Sequence, residues 1–193
     1  MDDITSRLAR RVHALREASG LSLDALAERS GVSRSAISLI ERGQSSPTAV
    51  VLDKLAAALG VTLAALFEPD AARGAPPSPL ARVAEQPGWT DPDSGYMRRN
   101  VSPALPSPIQ LVDVRFPPGA RVAYDSPPRE APVHQQVWMI EGTMQVSVGA
   151  ERWQLAAGDC LAMTLDAPIV WHNPTRQAAR YLVALAPQVW RTR

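Results

Sequence analysis

The chain has 193 residues, of which 46% are hydrophobic, and a formal net charge of +1. The length and the apolar content predict about two globular domains, and the near-neutral charge excludes a protein that binds nucleic acid through bulk positive charge alone. A single cysteine, Cys160, excludes an internal disulfide and a cysteine-based zinc cluster within one chain. The sequence has neither a signal-peptide pattern nor an apolar run long enough for a membrane span, so we expect a cytoplasmic protein with no membrane partner.

Residues 1–68 show helical periodicity on both sides of a tight turn. Apolar residues recur at helical spacing in the first part of this segment, at Ile4, Leu8, Val12 and Leu15. Within residues 21–43, Ser22 and Ser33 are each predicted to cap a short helix, because a serine hydroxyl accepts a hydrogen bond from a free backbone amide at a helix start. Gly31 between them tolerates a positive φ at no steric cost. Residues 21–43 are therefore predicted to form two short helices joined by a tight turn.

The second of these helices, from Arg34 to about Glu41, has an apolar face formed by its isoleucines and an opposite face of hydrogen-bond donors. Donors of this kind reach the base edges and phosphates of DNA, so the predicted partner is double-stranded operator DNA. Arg34 and Ser35 are predicted to lead base recognition, with Ser38 assisting. Leu39 is predicted to contact a thymine methyl group.

Three further residues, Ser22, Ser33 and Arg42, are predicted to position the protein on DNA phosphates. Residues 1–68 hold eight basic and eight acidic side chains, so the affinity of one copy for DNA is expected to be modest. Two copies that bind half-sites about 34 Å apart would supply the missing affinity. The chain is therefore predicted to be a homodimer.

The stretches LAERSGVS, ISLIERG and LAAALGVTLAALF, together with Arg16 and Pro47, resemble the phage-repressor-like (XRE-type) helix-turn-helix family over roughly residues 7–67. The resemblance implies a five-helix bundle whose third helix reads DNA, and a transcriptional regulator as the function. It also implies that Arg16 and Glu41 form a buried pair that ties the first helix to the recognition helix. The alternative is that these two residues are unrelated surface charges.

The composition changes at residue 69. Only Pro47 precedes this point, whereas the other seventeen of the eighteen prolines follow it. Residues 69–82 are rich in Pro and Ala and lack an apolar period, which is typical of a semi-rigid linker, and the predicted linker extends over residues 69–93. The predicted domains are therefore a DNA-binding domain in residues 1–68 and a second domain in residues 94–193.

From about residue 94 the period changes from helical to alternating, in the segments IQLVDVRF, QVWMIEG, TMQVSVG, ERWQL, DCLAMTL, IVWHN and RYLVAL. Seven or more short strands separated by Gly and Pro turns predict an all-β sandwich or jelly-roll barrel. The order of the turns PPGA, EG, AAGDC and HNP resembles the cupin family over roughly residues 95–187. The chain is thus predicted to be a two-domain α plus β protein, with a five-helix bundle followed by an all-β jelly-roll (cupin) barrel.

Cupins typically hold a metal through three histidines and one glutamate, and here the resemblance places those four positions at Arg129, Ala131, Gln135 and Ile169. This set does not suit a divalent metal, so we expect no metal and no cofactor. His134 and His172 are out of phase with the inward positions of their strands, so both are expected to face away from the interior. Cys160 has no base beside it in the sequence and is expected to be a buried structural thiol.

The same alternation assigns mostly apolar side chains to the barrel interior. The barrel is either packed shut or holds a small-molecule effector, and the second reading is favoured because Met and Trp suit an adaptable cavity. The predicted effector pocket consists of Gln135, Met139, Met163 and Trp171. Gln135 is its expected polar anchor.

The leading interpretation is a sequence-specific DNA-binding transcriptional regulator, not an enzyme, whose cupin domain binds an effector, dimerises, or does both. A cupin enzyme of the isomerase or dioxygenase type with a DNA-binding head is one alternative, disfavoured by the four substituted positions. An antitoxin-like DNA binder with a purely structural barrel is the other. The sequence leaves open whether the regulator represses or activates.

Overall fold

The computed structural model describes residues 4–68, 78–125 and 132–187. The helical part of these residues contains four α-helices: α1 Ile4–Ala18, α2 Leu23–Ser30, α3 Arg34–Glu41 and α4 Ala49–Ala58. A single 3-10 turn, Ala64–Phe67, stands where a fifth helix was predicted, because the apolar run between Gly60 and the prolines that begin at residue 69 is too short for a longer helix. None of the described helices is long and apolar enough to cross a membrane.

The predicted helix starts and the predicted turn are confirmed. Ser22 accepts a hydrogen bond from the Ala25 amide at 3.1 Å, and Ser33 accepts one from the Ala36 amide at 3.3 Å. Gly31 ends α2 with a φ of 67°, a left-handed conformation that favours glycine. The helices enclose a core whose fully buried side chains are Val12, Leu26, Ile37, Leu52 and Leu55.

The rest of the described chain is mainly antiparallel β structure, preceded by a short 3-10 helix, Val83–Glu85. Its strands are β1 Gly88–Thr90, β2 Met97–Asn100, β3 Gln110–Phe116, β4 Arg121–Tyr124, β5 Val133–Glu141, β6 Thr143–Val148, β7 Glu151–Ala156, β8 Cys160–Thr164, β9 Ile169–His172 and β10 Ala179–Pro187. They form a six-stranded sheet in the order β1-β2-β3-β10-β5-β8 and a four-stranded sheet in the order β4-β9-β6-β7.

The predicted β-rich second part is confirmed, but the predicted closed barrel is not found in the described residues, which form two separate sheets. The two sheets share no strand pairing there, and β1, β8, β4 and β7 each have a paired neighbour on one side only. The sheet also begins earlier than expected, since β1 lies inside the segment predicted to be a linker. Strands as short as β1, β2 and β4 show too few alternating positions to be predicted from the sequence.

The alternation predicted for β5 is confirmed. Gln135 and Met139 are buried, whereas His134 is exposed. His172 is half-buried, and its Nδ1 lies 3.3 Å from Oε1 of Gln145. The prediction for Cys160 is wrong: this residue is exposed, because it begins the edge strand β8 opposite Trp138 on the outer face of the sheet.

The helical and β parts contact each other directly. Hydrogen bonds join them from the Ala49 amide to Asp91 Oδ1 at 2.8 Å, from Thr62 Oγ1 to Gln110 Oε1 at 2.8 Å, and from Asn100 Nδ2 to the Ala64 carbonyl at 2.9 Å. Gln110 Nε2 also donates to Glu68 Oε1. The rings of Phe67 and Trp89 also pack across the junction, with centroids 5.6 Å apart. The first of the hydrogen bonds lets an acidic side chain of the β part satisfy a free amide at the positive start of α4.

Candidate nucleic-acid interface and effector pocket

Helix α3 presents two different faces. Its isoleucines, Ile37 and Ile40, are 0% and 3% exposed and anchor the helix in the core. The predicted DNA-contacting residues lie on the other side or at the helix ends, where Ser22, Ser33, Arg34, Ser35, Leu39 and Arg42 are exposed and Ser38 is half-buried. An anchored helix with exposed donors and one exposed leucine can enter a DNA major groove without rearranging its core.

Arg34 makes one ion pair in the absence of DNA. Its Nε lies 3.1 Å from Oδ1 of Asp24 in α2, and both side chains are more than half exposed. A pair this exposed contributes little to stability, so Arg34 can exchange Asp24 for a base or a phosphate at low cost. Ser33 and Ser35 lie beside it, with their hydroxyl oxygens 3.2 Å apart.

The structure brings Arg16 and Glu41 together. Arg16 Nε donates to Glu41 Oε1 at 2.7 Å and Nη2 donates to Oε2 at 2.9 Å, and each side chain is only 8% exposed. Arg16 also donates to the Leu21 carbonyl at 2.8 Å, so one guanidinium joins α1, α3 and the segment before α2. Burial acts to raise the pKa of Glu41, but hydrogen bonds from Arg16 and His13 hold that pKa below its ordinary value.

A cavity of about 90 Å³ lies between the two sheets. Of the predicted pocket residues, Gln135 and Trp171 line this cavity, and Met139 and Met163 do not. Met139 is completely buried in the core on the same strand as Gln135. The sulfur of Met163 accepts a hydrogen bond from Gln135 Nε2 at 3.8 Å, so this methionine supports the amide instead of facing the cavity.

Several lining residues were missed by sequence reasoning. Three tyrosines line the wall, Tyr96, Tyr124 and Tyr181, and the helical part contributes Asp53 and Leu63. The most polar addition is Arg98 of β2, which is only 6% exposed. The available signal was the alternation in the short segment MRRN, whose inward residue is an arginine and therefore does not show as part of an apolar pattern.

Two of the four positions expected for metal ligands lie on the wall of the cavity. Gln135 and Ile169 are buried on its wall, and Arg129 and Ala131 lie outside the described residues. In the three described ranges, no group of three or more His, Cys, Asp or Glu side chains is placed to hold a metal ion. The wall position that would carry the glutamate offers a neutral amide, which is a weak ligand for a transition metal.

We expect elemental analysis of the purified protein to find far less than one transition-metal ion per chain. The physical reason is that a tight site needs three or four imidazole, thiolate or carboxylate donors, and Gln135 and Ile169 supply none. Chelators should leave DNA binding unchanged, and Gln135→Glu alone should not create metal binding. About one zinc, nickel, iron or manganese ion per chain would contradict this prediction.

The similarities to known proteins cover both parts of the chain. Residues 12–66 match the helix-turn-helix family HTH_3. The chain is 28% identical over 185 residues to the HTH-type transcriptional regulator SutR of Escherichia coli (strain K12), covering 94% of this chain and 95% of that protein. It is also similar to the crystal structure of an HTH_3 family transcriptional regulator from Vibrio cholerae, with a TM-score of 0.76, 25% identity and coverage of 96% of this chain and 98% of that one.

A structure of the Cupin_2 domain of an XRE family transcriptional regulator from Enterobacter cloacae is 16% identical, with a TM-score of 0.43, and covers 49% of this chain and 98% of that one. The N-terminal match begins within α1 and ends within the 3-10 turn, and the two similarities over the whole length extend through the β-sandwich. Residues 12–66 therefore match a helix-turn-helix domain of the HTH_3 type, and a β-sandwich follows this domain in the chain.

Proposed function

We propose that the chain is a sequence-specific transcriptional regulator that binds operator DNA as a homodimer and senses a small molecule in its β-domain. The observation that carries the proposal is α3, whose apolar face is buried while its donor face is exposed. The whole-length similarity to two proteins named as transcriptional regulators supports it. Such a regulator acts where the DNA is, in the bacterial cytoplasm.

Within this proposal, the DNA-binding domain comprises residues 1–68, residues 69–93 connect it to the β-domain, and the β-domain comprises residues 94–193, with β1 as an early addition to its sheet. Arg34 and Ser35 read base edges with the help of Ser38 and Leu39. Ser22, Ser33 and Arg42 contact phosphates. The exposure of six of these seven residues supports the assignment.

We propose no enzymatic role. A cupin isomerase or dioxygenase would hold a metal in the cavity, whereas the two described positions expected for its ligands are Gln135 and Ile169, neither of which suits a divalent metal. A purely structural barrel, as in the antitoxin-like alternative, would have no use for a cavity that contains a buried arginine. Binding of a small molecule is therefore the function that explains why these residues line a cavity.

The test of the proposed function is selection of genomic DNA fragments by the full chain, followed by sequencing. We expect enrichment of one short sequence with two half-sites about 34 Å apart. The double variant Arg34→Ala with Arg42→Ala should lose the enrichment, whereas Arg152→Ala, an exposed arginine of β7, should keep it. Absence of enrichment for the unaltered chain would overturn the proposed function.

Self-association can be tested at the outer face of the six-stranded sheet. Trp138 on β5 is 51% exposed beside the edge strand β8, which is the kind of aromatic residue that dominates binding energy at interfaces. We expect Trp138→Lys to weaken the dimer at least tenfold in sedimentation equilibrium. Met97→Lys on β2, which is 46% exposed, is the matched control and should leave the dimer unchanged. An unchanged dimer in the Trp138 variant would place the interface elsewhere.

A further inference from the structure

The cavity of the β-domain is completed by the helical domain. Most of its wall comes from inward-facing strand residues, but Asp53 of α4 and Leu63 before the 3-10 turn belong to the DNA-binding part. A volume of about 90 Å³ equals the liquid volume of about three water molecules, which suits an organic molecule of a few non-hydrogen atoms. A molecule bound there would contact both domains at once.

Arg98 has an unmet hydrogen-bonding requirement in this wall. It lies on β2 and is only 6% exposed. Its Nε is buried and has no hydrogen-bond partner among the described residues. A buried guanidinium with an unsatisfied donor is costly, and a bound anion would relieve that cost with charge-assisted hydrogen bonds. The residue therefore points to a ligand with an acidic group.

The neighbouring hydroxyl groups are suited to the same acidic group. Tyr96, Tyr124 and Tyr181 line the cavity, and the hydroxyl oxygens of Tyr96 and Tyr124 are 3.0 Å apart. Burial raises the pKa of all three hydroxyls, and the positive charge of Arg98 offsets this only in part. The hydroxyls stay protonated at neutral pH. One of Tyr96 and Tyr124 donates to the other, which leaves the second proton of that pair and the Tyr181 proton to donate to a carboxylate or a sulfonate.

The other part of the wall is apolar. Ile169 and Trp171 face the cavity from β9, and the Trp171 ring is stacked on the Tyr181 ring with centroids 5.2 Å apart. We infer that the cavity binds a small organic monoanion, a carboxylate or a sulfonate, whose acidic oxygens are held by Arg98 and whose apolar part lies against Ile169 and Trp171. Arg98 is the only cationic side chain among the described residues of this wall, so the wall can balance one negative charge on the ligand.

This inference deepens the proposed function, on which its regulatory part rests. The guanidinium carbon of Arg98 lies 5.0 Å from the centroid of the Phe67 ring, which belongs to the 3-10 turn of the helical domain. A cation held over an aromatic face is attracted to it, and an anion that engages the cation from the cavity competes for its position. Ligand binding therefore alters a contact between the domains and, through it, the affinity for operator DNA.

The first experiment measures binding to the full chain by calorimetry and thermal shift. The probes are butyrate and propane-1-sulfonate, with butyramide as the neutral isostere and butylamine as the cation. We expect at least one of the two acids to bind, and butyramide and butylamine to bind at least tenfold more weakly. The two acids distinguish a carboxylate site from a sulfonate site. Equal binding of acid and amide, or no binding of either acid, would overturn the inference.

The second experiment tests the anchor. Arg98→Gln should weaken acid binding roughly 10- to 100-fold, because one charge-assisted interaction is lost. Arg99→Gln is the matched control on the same strand, since Arg99 is ion-paired with Asp113 at 2.6 Å and does not line the cavity; it should change binding less than twofold. Arg98→Lys keeps the positive charge but loses the forked set of donors, so its affinity for the acid should lie between those of the unaltered chain and the Gln variant. If the Gln variant fails to fold, the Lys variant provides the same test. Unchanged affinity in either Arg98 variant would contradict the assignment.

The third experiment separates the inference from the proposed function. Saturating acid should change the affinity of the unaltered chain for its selected operator at least threefold, and Phe67→Leu should bind the acid normally but show a smaller change. An acid that binds without any effect on operator affinity would overturn the regulatory part. If the chain selected no operator, the proposed function would fail, while acid binding at Arg98 would still be decided by the first two experiments.

Discussion

Replacement of Glu41 by alanine is expected to lower the free energy of unfolding of the helical domain by about 3–5 kcal/mol. The variant leaves the Arg16 guanidinium, whose side chain is 8% exposed, without the carboxylate that takes two of its hydrogen bonds. Removing one partner from a buried ion pair leaves the other charge uncompensated in the protein interior, which solvates it poorly. Urea denaturation of the full chain, followed by circular dichroism at the helical signal, measures the loss.

The matched control is Glu17→Ala. Glu17 also pairs with Arg16, at 2.6 Å, but its side chain is 60% exposed, so the loss should stay below about 1 kcal/mol. DNA binding by the Glu41 variant should recover at low temperature, where the domain is folded. Normal unfolding together with a selective loss of DNA binding would mean that Glu41 acts in recognition and not in stability.

The same pair makes the domain sensitive to acid. The pKa of Glu41 is lower in the folded state than in the unfolded chain. As the pH falls, this carboxylate is therefore protonated at a higher pH in the unfolded chain than in the folded one. The stabilisation is therefore fully present above the unfolded value of about 4.5 and is lost as the pH falls through the lower folded value. Between pH 7 and pH 4 the difference in stability between the unaltered chain and Glu41→Ala should shrink.

The helical domain was largely predictable because its signals are local. Ser22, Gly31 and Ser33 specify two helix starts and the turn between them through interactions with residues at most four positions away. The inward positions of β5 followed in the same way from strict alternation. The pair of Arg16 and Glu41 was predicted only through a family resemblance, since 25 residues separate its members.

The cavity could not be predicted to the same degree, because its polar wall depends on contacts between distant segments. Arg98 lies in a strand of four residues, which is too short for the alternation of its side chains to predict that an arginine is buried. Asp53 and Leu63 reach the cavity because α4 and the following turn pack on the β-domain through bonds such as that from the Ala49 amide to Asp91. Packing of one domain on another leaves no periodic pattern in either segment, and the prediction of a semi-rigid linker between the domains does not indicate that they touch.

Replacement of Arg34 by alanine is expected to weaken binding to the selected operator by about 1–3 kcal/mol, roughly 10- to 100-fold, and to relax the preference at one base pair. Its guanidinium is exposed at the start of α3, is paired only weakly with Asp24, and can present two donors to a guanine edge. Fluorescence anisotropy with the operator and its single-base variants gives both quantities. Asp24→Asn is the matched control, since it removes the ion pair but keeps Arg34, and it should bind the operator at least as tightly as the unaltered chain. Equal losses on operator and random DNA for the Arg34 variant would assign this arginine to the phosphates, and base reading by α3 would then rest on Ser35 and Ser38.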